Sequence, residues 1–246
     1  MKAKTVAIVL FTIVFFSKST MGQSITKEPK FYNWFDDQVK LYNTGLFNGI
    51  KYIELYRTIN EKHKFFQNSE FQIGSVVYDG QLYDQVPIKY DLDTDELLLN
   101  IGYNYQFPTI ILFKSKVKSF QIGKSKFTHI VNNTIESEYQ GFYEVLVDQD
   151  SLALLKKNSK KRLKKIRGTT VYYEFIPENN YVVMYDGDLY SVKNKQDVVR
   201  IWPSKKEFIN ENYNPELKKS NEDEFWATLF SKLSDSFKAK NIGEQP

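Results

Sequence analysis

From Phe71 onward, hydrophobic and polar positions alternate with a period of two. Phe71, Ile73 and Ser75 fall on one face and Gln72, Gly74 and Val76 on the other, as in a strand with two different surroundings. Asp79-Gly80 follows, flanked by Val, Tyr and Leu. Asp-Gly between β-prone runs predicts a two-residue type I′ hairpin, because both central residues need positive φ. A second strand climbs from Leu82 to Val86-Pro87-Ile88-Lys89-Tyr90, a polar turn spans Asp91 to Glu96, and Leu97 to Ile101 returns. Phe71 to Ile101 thus reads as a meander. Pro87 cannot donate to a ladder and marks an edge, a bulge or an unpaired position. Tyr185-Asp186-Gly187-Asp188-Leu189-Tyr190 echoes Tyr78-Asp79-Gly80-Gln81-Leu82-Tyr83 and predicts a second hairpin of the same kind.

Further strands are expected at Pro108–Phe113, Val117–Ile122, Lys126–Val131, Tyr139–Val147, Ser151–Lys157, Val171–Ile176, Tyr181–Tyr185 and Leu189–Val192. With no long helical period among them, the class is mainly β (α+β). The expected architecture is a curved antiparallel meander sheet or a partly open barrel, with C-terminal helices packed on it. Before the meander, residues 24–70 read as an N-terminal arm with short elements. Phe31, Tyr32, Trp34 and Phe35 tuck against the body there, and Thr44-Gly45 and Asn48-Gly49 interrupt the chain ahead of a short strand.

The period changes after residue 193. One or two helical turns over Asp197–Trp202 stop at Pro203, and Ser204-Lys205-Lys206-Glu207 has the spacing of a capping box for a helix through Tyr213. Asn221–Lys238 is the clearest helix, with Phe225, Trp226, Leu229, Phe230, Leu233 and Phe237 at three- and four-residue steps. That face must be covered, most simply by the sheet. The helical segment is therefore 194–238, the β body 71–193, and 239–246 a frayed tail.

The N-terminus adds a location. Lys2 and Lys4 precede the apolar run Val6–Phe16 and a small polar stretch, Ser17 to Gln23, the pattern of a cleaved export signal over residues 1–23. The run is shorter than the ~20 residues a membrane-crossing helix needs. After Gln23, 223 residues remain, enough for one or two domains. The formal charge of +4 includes Lys2, Lys4 and Lys18 with no acid beside them, so the exported chain carries about +1, which offers nothing to nucleic acid. Without cysteine there is neither a disulfide framework nor thiolate chemistry, and the 19 Phe and 17 Tyr must build the core.

Chemistry-bearing residues are sparse. His63 and His129 stand alone in separate segments, short of the three or four ligands zinc takes, so no metal and no cofactor is expected. Asp91, Asp93 and Asp95 have the opening spacing of a calcium loop, but the central Gly and the Glu at position twelve are missing; turn residues satisfying backbone amides are the better reading. Asp79 and Asp186 are the one carboxylate pair that the repeated turns set in parallel, and a glycosidase would need them across one cleft. No nucleophile elbow and no glycine-rich phosphate loop occurs.

Two binding features remain. Lys156, Lys157, Lys160, Lys161, Arg162, Lys164, Lys165 and Arg167 place eight cations in twelve residues, read as a long solvated hairpin connection able to meet an anionic surface. Tyr103, Tyr105 and Phe107, with Tyr173, Tyr181 and Tyr185, could line a concave face for a sugar or an apolar ligand, although aromatics also fill cores.

Leu46-Phe47-Asn48-Gly49, Gly74 to Tyr83, Val86 to Asp91, the Lys-rich turn and Trp202-Pro203-Ser204-Lys205-Lys206 form a set that covers most of the chain after the signal. On these residues the chain resembles a family of uncharacterised secreted or periplasmic proteins of Bacteroidota. It implies an exported, periplasmic or secreted location in a Gram-negative envelope, and the family has no assigned activity to carry over. Three readings follow. The first is a non-enzymatic exported envelope protein with a scaffold or binding role, partnered by a membrane surface or another envelope protein. The alternatives are a periplasmic carrier of an apolar or lipidic ligand and a glycan or cell-wall hydrolase.

Overall fold

The computed structural model describes residues 44–59, 61–100, 108–131, 139–149 and 152–242. The expected export signal at 1–23, the aromatics at 31–35, and Tyr103, Tyr105 and Phe107 lie outside the described residues. The protein is mainly β, with an eleven-stranded antiparallel sheet that is not closed into a barrel and four C-terminal helices packed on it. The strands are β1 (Gly49–Lys51), β2 (Gln72–Tyr78), β3 (Gln81–Asp91), β4 (Glu96–Leu99), β5 (Ile110–Leu112), β6 (Val117–Ile122), β7 (Ser125–Ile130), β8 (Gly141–Gln149), β9 (Leu152–Lys157), β10 (Lys160–Arg167), β11 (Thr170–Pro177), β12 (Asn180–Tyr185) and β13 (Asp188–Val192). Spatial order is β1-β5-β4-β3-β2-β6-β7-β8-β9-β12-β13, while β10 and β11 form a separate two-stranded ribbon.

Both Asp-Gly turns form as expected. Asp79 and Gly80 have φ of 51° and 81°, and Asp186 and Gly187 have 53° and 84°, the paired positive values a type I′ turn requires. In β2 the buried face is the one carrying Gly74, Val76 and Tyr78, leaving Ile73 exposed. Gly74 is there for close approach, since a Cβ would stand 2.2 Å from the Gln121 carbonyl oxygen and 2.8 Å from Ile88 Cδ1. In β3 the inward residues are Tyr83, Val86, Ile88 and Tyr90, a jump of three followed by steps of two. A bulge explains the jump: between pairs Val76–Tyr83 and Gly74–Val86, β3 holds one residue more than β2, and Gln85 has φ of 55°. Pro87 sits two residues on, its carbonyl accepting from Asn100 N at 3.1 Å. The donor it lacks would point the same way, just past the last ladder pair, Ile88–Leu99.

The first half of the sheet curves round a core of interlocked rings. Phe120 and Phe127 stack at 4.5 Å, and Tyr90 meets Phe120, Phe127 and Phe142 edge-on at 5.2, 5.3 and 5.9 Å. A 3-10 turn, Gly45–Phe47, drives Leu46 into the same core, and Tyr78 Oη donates to Asn48 O at 2.7 Å.

The second half is covered by helices α1 (Lys195–Ile201), α2 (Lys206–Asn212), α3 (Pro215–Ser220) and α4 (Glu222–Ile242). Phe225, Trp226, Leu229, Phe230 and Leu233 of α4 are buried with Leu154, Val183 and Val192 of the sheet, so the sheet covers the apolar face the spacing predicted. Asn221 starts this helix by accepting from Glu224 N at 3.2 Å. Three details differ from expectation. The capping box forms at Asn194 and Asp197, opening α1, and not at Ser204. Pro203–Lys205 is itself a 3-10 turn, which leaves Ser204 inside a turn where it cannot act as a cap. Helix α3, capped by Asn214 with Pro215 at its first position, was not anticipated, and α4 continues four residues past Lys238.

Candidate functional site

The basic run is not the solvated connection its composition suggests. Lys156 and Lys157 end β9, and Lys160–Arg167 is strand β10, paired residue by residue with β11 from Lys160–Pro177 to Arg167–Thr170. Its lysines hid a strand whose partner, Thr170–Pro177, supplies the β-prone residues.

The proximal half of the run is consumed by the body. Lys156 Nζ lies 2.7 Å from Asp223, which also accepts from Tyr181 Oη at 2.6 Å, tying the first turn of α4 to the sheet. Lys157 Nζ lies 2.8 Å from Asp95 Oδ2; burial pushes this lysine below the ordinary lysine range despite the carboxylate. Lys160 Nζ donates to the His63 and Phe65 carbonyls at 2.7 and 2.9 Å, and its backbone N to Leu92 O at 3.1 Å. Arg162 reaches Asp93 at 3.5 Å and covers the Tyr56 ring at 4.1 Å.

The acidic turn Asp91–Glu96 is therefore the socket for the base of the ribbon. Asp91 Oδ1 accepts from the amides of Asp93 and Thr94 at 3.0 and 3.4 Å, the backbone role expected for a turn aspartate. Its Oδ2 lies 2.8 Å from Lys64 Nζ but receives no hydrogen bond of good alignment. Asp95 accepts from Tyr90 Oη at 2.5 Å and pairs with Lys114 as well as Lys157. Burial, then the nearby Asp95 charge, hold the Tyr90 phenol well above its usual range. The three aspartates spaced like a calcium loop thus face three different sets of cations.

One glycine permits this junction. Gly141 has φ of 120°, and a Cβ there would lie 2.2 Å from Asp95 Oδ2 and 2.5 Å from Lys157 Nζ. Gly141→Ala should cost about 1–3 kcal/mol, seen as a lowered urea midpoint. Gly168→Ala, also at positive φ but with no atom within 4 Å, should cost only about 1 kcal/mol.

The distal half of the run is free. Lys161, Lys164, Lys165 and Arg167 are exposed on β10 and make no ion pair among the described residues. The ribbon's inner face is anchored by buried Phe175, by Tyr173 packed edge-on against Tyr56 at 4.9 Å, and by Tyr173 N donating to Arg57 O. Lys62 pairs with Glu174 at 2.9 Å. Beyond these contacts the ribbon ends in the cross-strand pairs Ile166–Val171 and Arg167–Thr170 and a turn through Gly168.

Among the described residues, the aromatic candidates Tyr173, Tyr181 and Tyr185 line no common face. Tyr173 belongs to the ribbon; Tyr181 is buried against Trp226, and Tyr185 packs between Trp202 and Phe237. Tyr185 also borders a shallow depression of about 570 Å³ with Asp148, Gln149, Leu152, Ala153, Met184, Asp186 and Gly187. Asp79 is not in its lining and pairs with Lys116 at 2.8 Å. Five antiparallel steps separate β2 from β12, so the two strands run oppositely. The turns that follow them, Asp79-Gly80 and Asp186-Gly187, consequently cap opposite ends of the sheet and share no cleft. The histidines are separate too: His129 Nδ1 donates to Val117 O at 2.9 Å, and His63 Nδ1 accepts from Phe65 N at 3.2 Å. Burial lowers the pKa of both.

Comparison with protein-family models, curated proteins and solved structures finds no match.

Proposed function

We propose that this chain is a non-enzymatic exported protein of the bacterial envelope with a binding role, in which the sheet and helices are the scaffold and the β10–β11 ribbon is the contact element. The observation that carries it is the division within one basic run. Lys156 and Lys157 are spent on ties within the body, Lys160 and Arg162 fix the ribbon to it, and Lys161, Lys164, Lys165 and Arg167 are left to solvent. A cation held out on an anchored strand keeps its charge available to an anionic partner. The export signal at 1–23 and the resemblance to secreted Bacteroidota proteins supply the location. The ring packing inside the curved half-sheet favours a scaffold over a carrier with an internal ligand, and Asp91 and Asp95 act as ties between elements.

The test is fractionation of cells expressing the full chain. The recovered protein should begin at Gln23 or Ser24, sediment with the envelope at low salt and be released near ~0.5 M salt, where screening shortens electrostatic reach to a few ångströms. A variant carrying Lys161→Glu, Lys164→Glu, Lys165→Glu and Arg167→Glu should appear in the soluble exported fraction. An uncleaved chain inside the cell, or envelope association indifferent to the charge reversal, would sink the proposal.

A further inference from the structure

We infer that the partner of the ribbon is a bilayer containing anionic phospholipid, and that Ile166 and Val171 enter its interfacial zone. This rests on the ribbon being the contact element and goes on to name what it touches. Ile166 and Val171 face each other across the last apolar pair of the hairpin, and they are 68% and 40% exposed. Exposed apolar pairs are poor hairpin ends for a surface that meets only water, where polar residues cost less. Here Lys164 and Lys165 lie on the body side of the pair and Arg167, opposite Thr170 in the outermost pair, on the tip side, so cations stand within two residues of the apolar atoms on both sides.

Apolar side chains bracketed by cations suit an anionic membrane surface. Phosphates lie outside the acyl boundary, where lysine and arginine can reach them while their stems remain in apolar surroundings. Half-buried Tyr172, next along β11, is a residue type that favours the same zone. An acidic polysaccharide would use the cations equally well, but it offers no apolar layer for Ile166 and Val171. The ribbon is also firm enough to insert. Its base is locked by Lys160, Arg162 and Phe175, and only the turn from Gly168 to Thr169 lies beyond the ladder.

The absence of cysteine allows a single-site probe. Ile166→Cys, labelled with an environment-sensitive fluorophore on the chain as processed and purified from expressing cells, is mixed with vesicles of phosphatidylcholine containing about one-third phosphatidylglycerol. The label should shift to an apolar environment and be quenched by a quencher carried in the lipid phase, whereas the same label on Lys124→Cys, in the exposed β6–β7 turn, should not respond. Phosphatidylcholine alone should give little binding. Neutralising Lys164, Lys165 and Arg167 to Gln should weaken partitioning roughly a hundredfold, about fivefold per cation. Ile166→Ser with Val171→Ser should weaken it about tenfold without altering the circular dichroism spectrum, since both sites are exposed.

Binding with the label still in water would overturn the insertion. So would retention of a soluble acidic polysaccharide, undiminished in the double serine variant, together with no vesicle binding. Absence of binding to either probe overturns the lipid assignment as well. Failure of export is separately visible as an N-terminal sequence that still begins at Met1.

Discussion

Lys64→Met should destabilise the protein by about 3–5 kcal/mol, the cost of removing one member of a buried ion pair. Lys64 is 5% exposed and Asp91 1%, with Nζ and Oδ2 2.8 Å apart. Asp91 cannot turn to solvent, because its other oxygen is committed to the amides of Asp93 and Thr94. Around the ammonium are the rings of Tyr52, Tyr56 and Phe65 at 5.2, 5.5 and 5.5 Å, and Glu54 at 3.4 Å. The methionine fits this apolar surround but leaves the carboxylate charge without a counter-ion. Adding Asp91→Asn to Lys64→Met should restore most of the loss, since the amide oxygen still serves the turn while the charge is gone. Urea denaturation of the two single variants and the double closes the cycle.

Burial alone would lower the Lys64 pKa, but the Asp91 carboxylate close beside it holds it above the ordinary lysine range. A base raised on folding contributes its full stability below its unfolded pKa of about 10.4 and loses it only as pH climbs through the folded value. The Lys64→Met effect should therefore be flat between about pH 6 and 9. A cost below about 1 kcal/mol would mean that the pair is open to water.

The socket at Asp91–Glu96 also marks how far the sequence could be read. Alternation and Asp-Gly turns are local signals, so the strands from Gln72 to Leu99 and from Val117 to Lys157 fall within a residue or two of expectation. Strand β10 has no such signal. Lys160 to Arg167 carries two aliphatic residues among six cations, and its strand character comes from pairing with β11 and from the carboxylates at its base. The sequence holds one dense acidic turn and one dense basic run, a complementarity that could have suggested their contact, although neither feature alone says which cations are tied and which are free. The helix caps fail for a related reason. Asn194-x-x-Asp197 and Ser204-x-x-Glu207 have equivalent spacing, and the Pro203 turn decides between them. The pairing of β2 with β6 and of β9 with β12 is non-local, and alternation is silent about it.

Trp226→Ala should cost about 3–5 kcal/mol and lower the melting temperature by roughly 10 °C, at the few degrees per kcal/mol typical of a chain this long. The ring is fully buried and lies 4.7 Å from Phe225, 5.8 Å from Phe230 and 6.0 Å from Tyr181, with Nε1 donating to Glu222 at 3.2 Å. It stands beside the place where Asp223 takes Lys156 and Tyr181 from the sheet, so the cavity opens at the junction of helix and strand. Because α4 shares its core with Leu154, Val183 and Val192, helix and sheet should melt together. Far-ultraviolet circular dichroism and tyrosine absorbance should shift to one common midpoint in the variant. Two separated transitions, with helical signal lost first, would show instead that α4 is an appendage on an independently stable sheet. In that event the tie between Lys156 and Asp223 orients the helix without making it part of the cooperative unit that holds the ribbon.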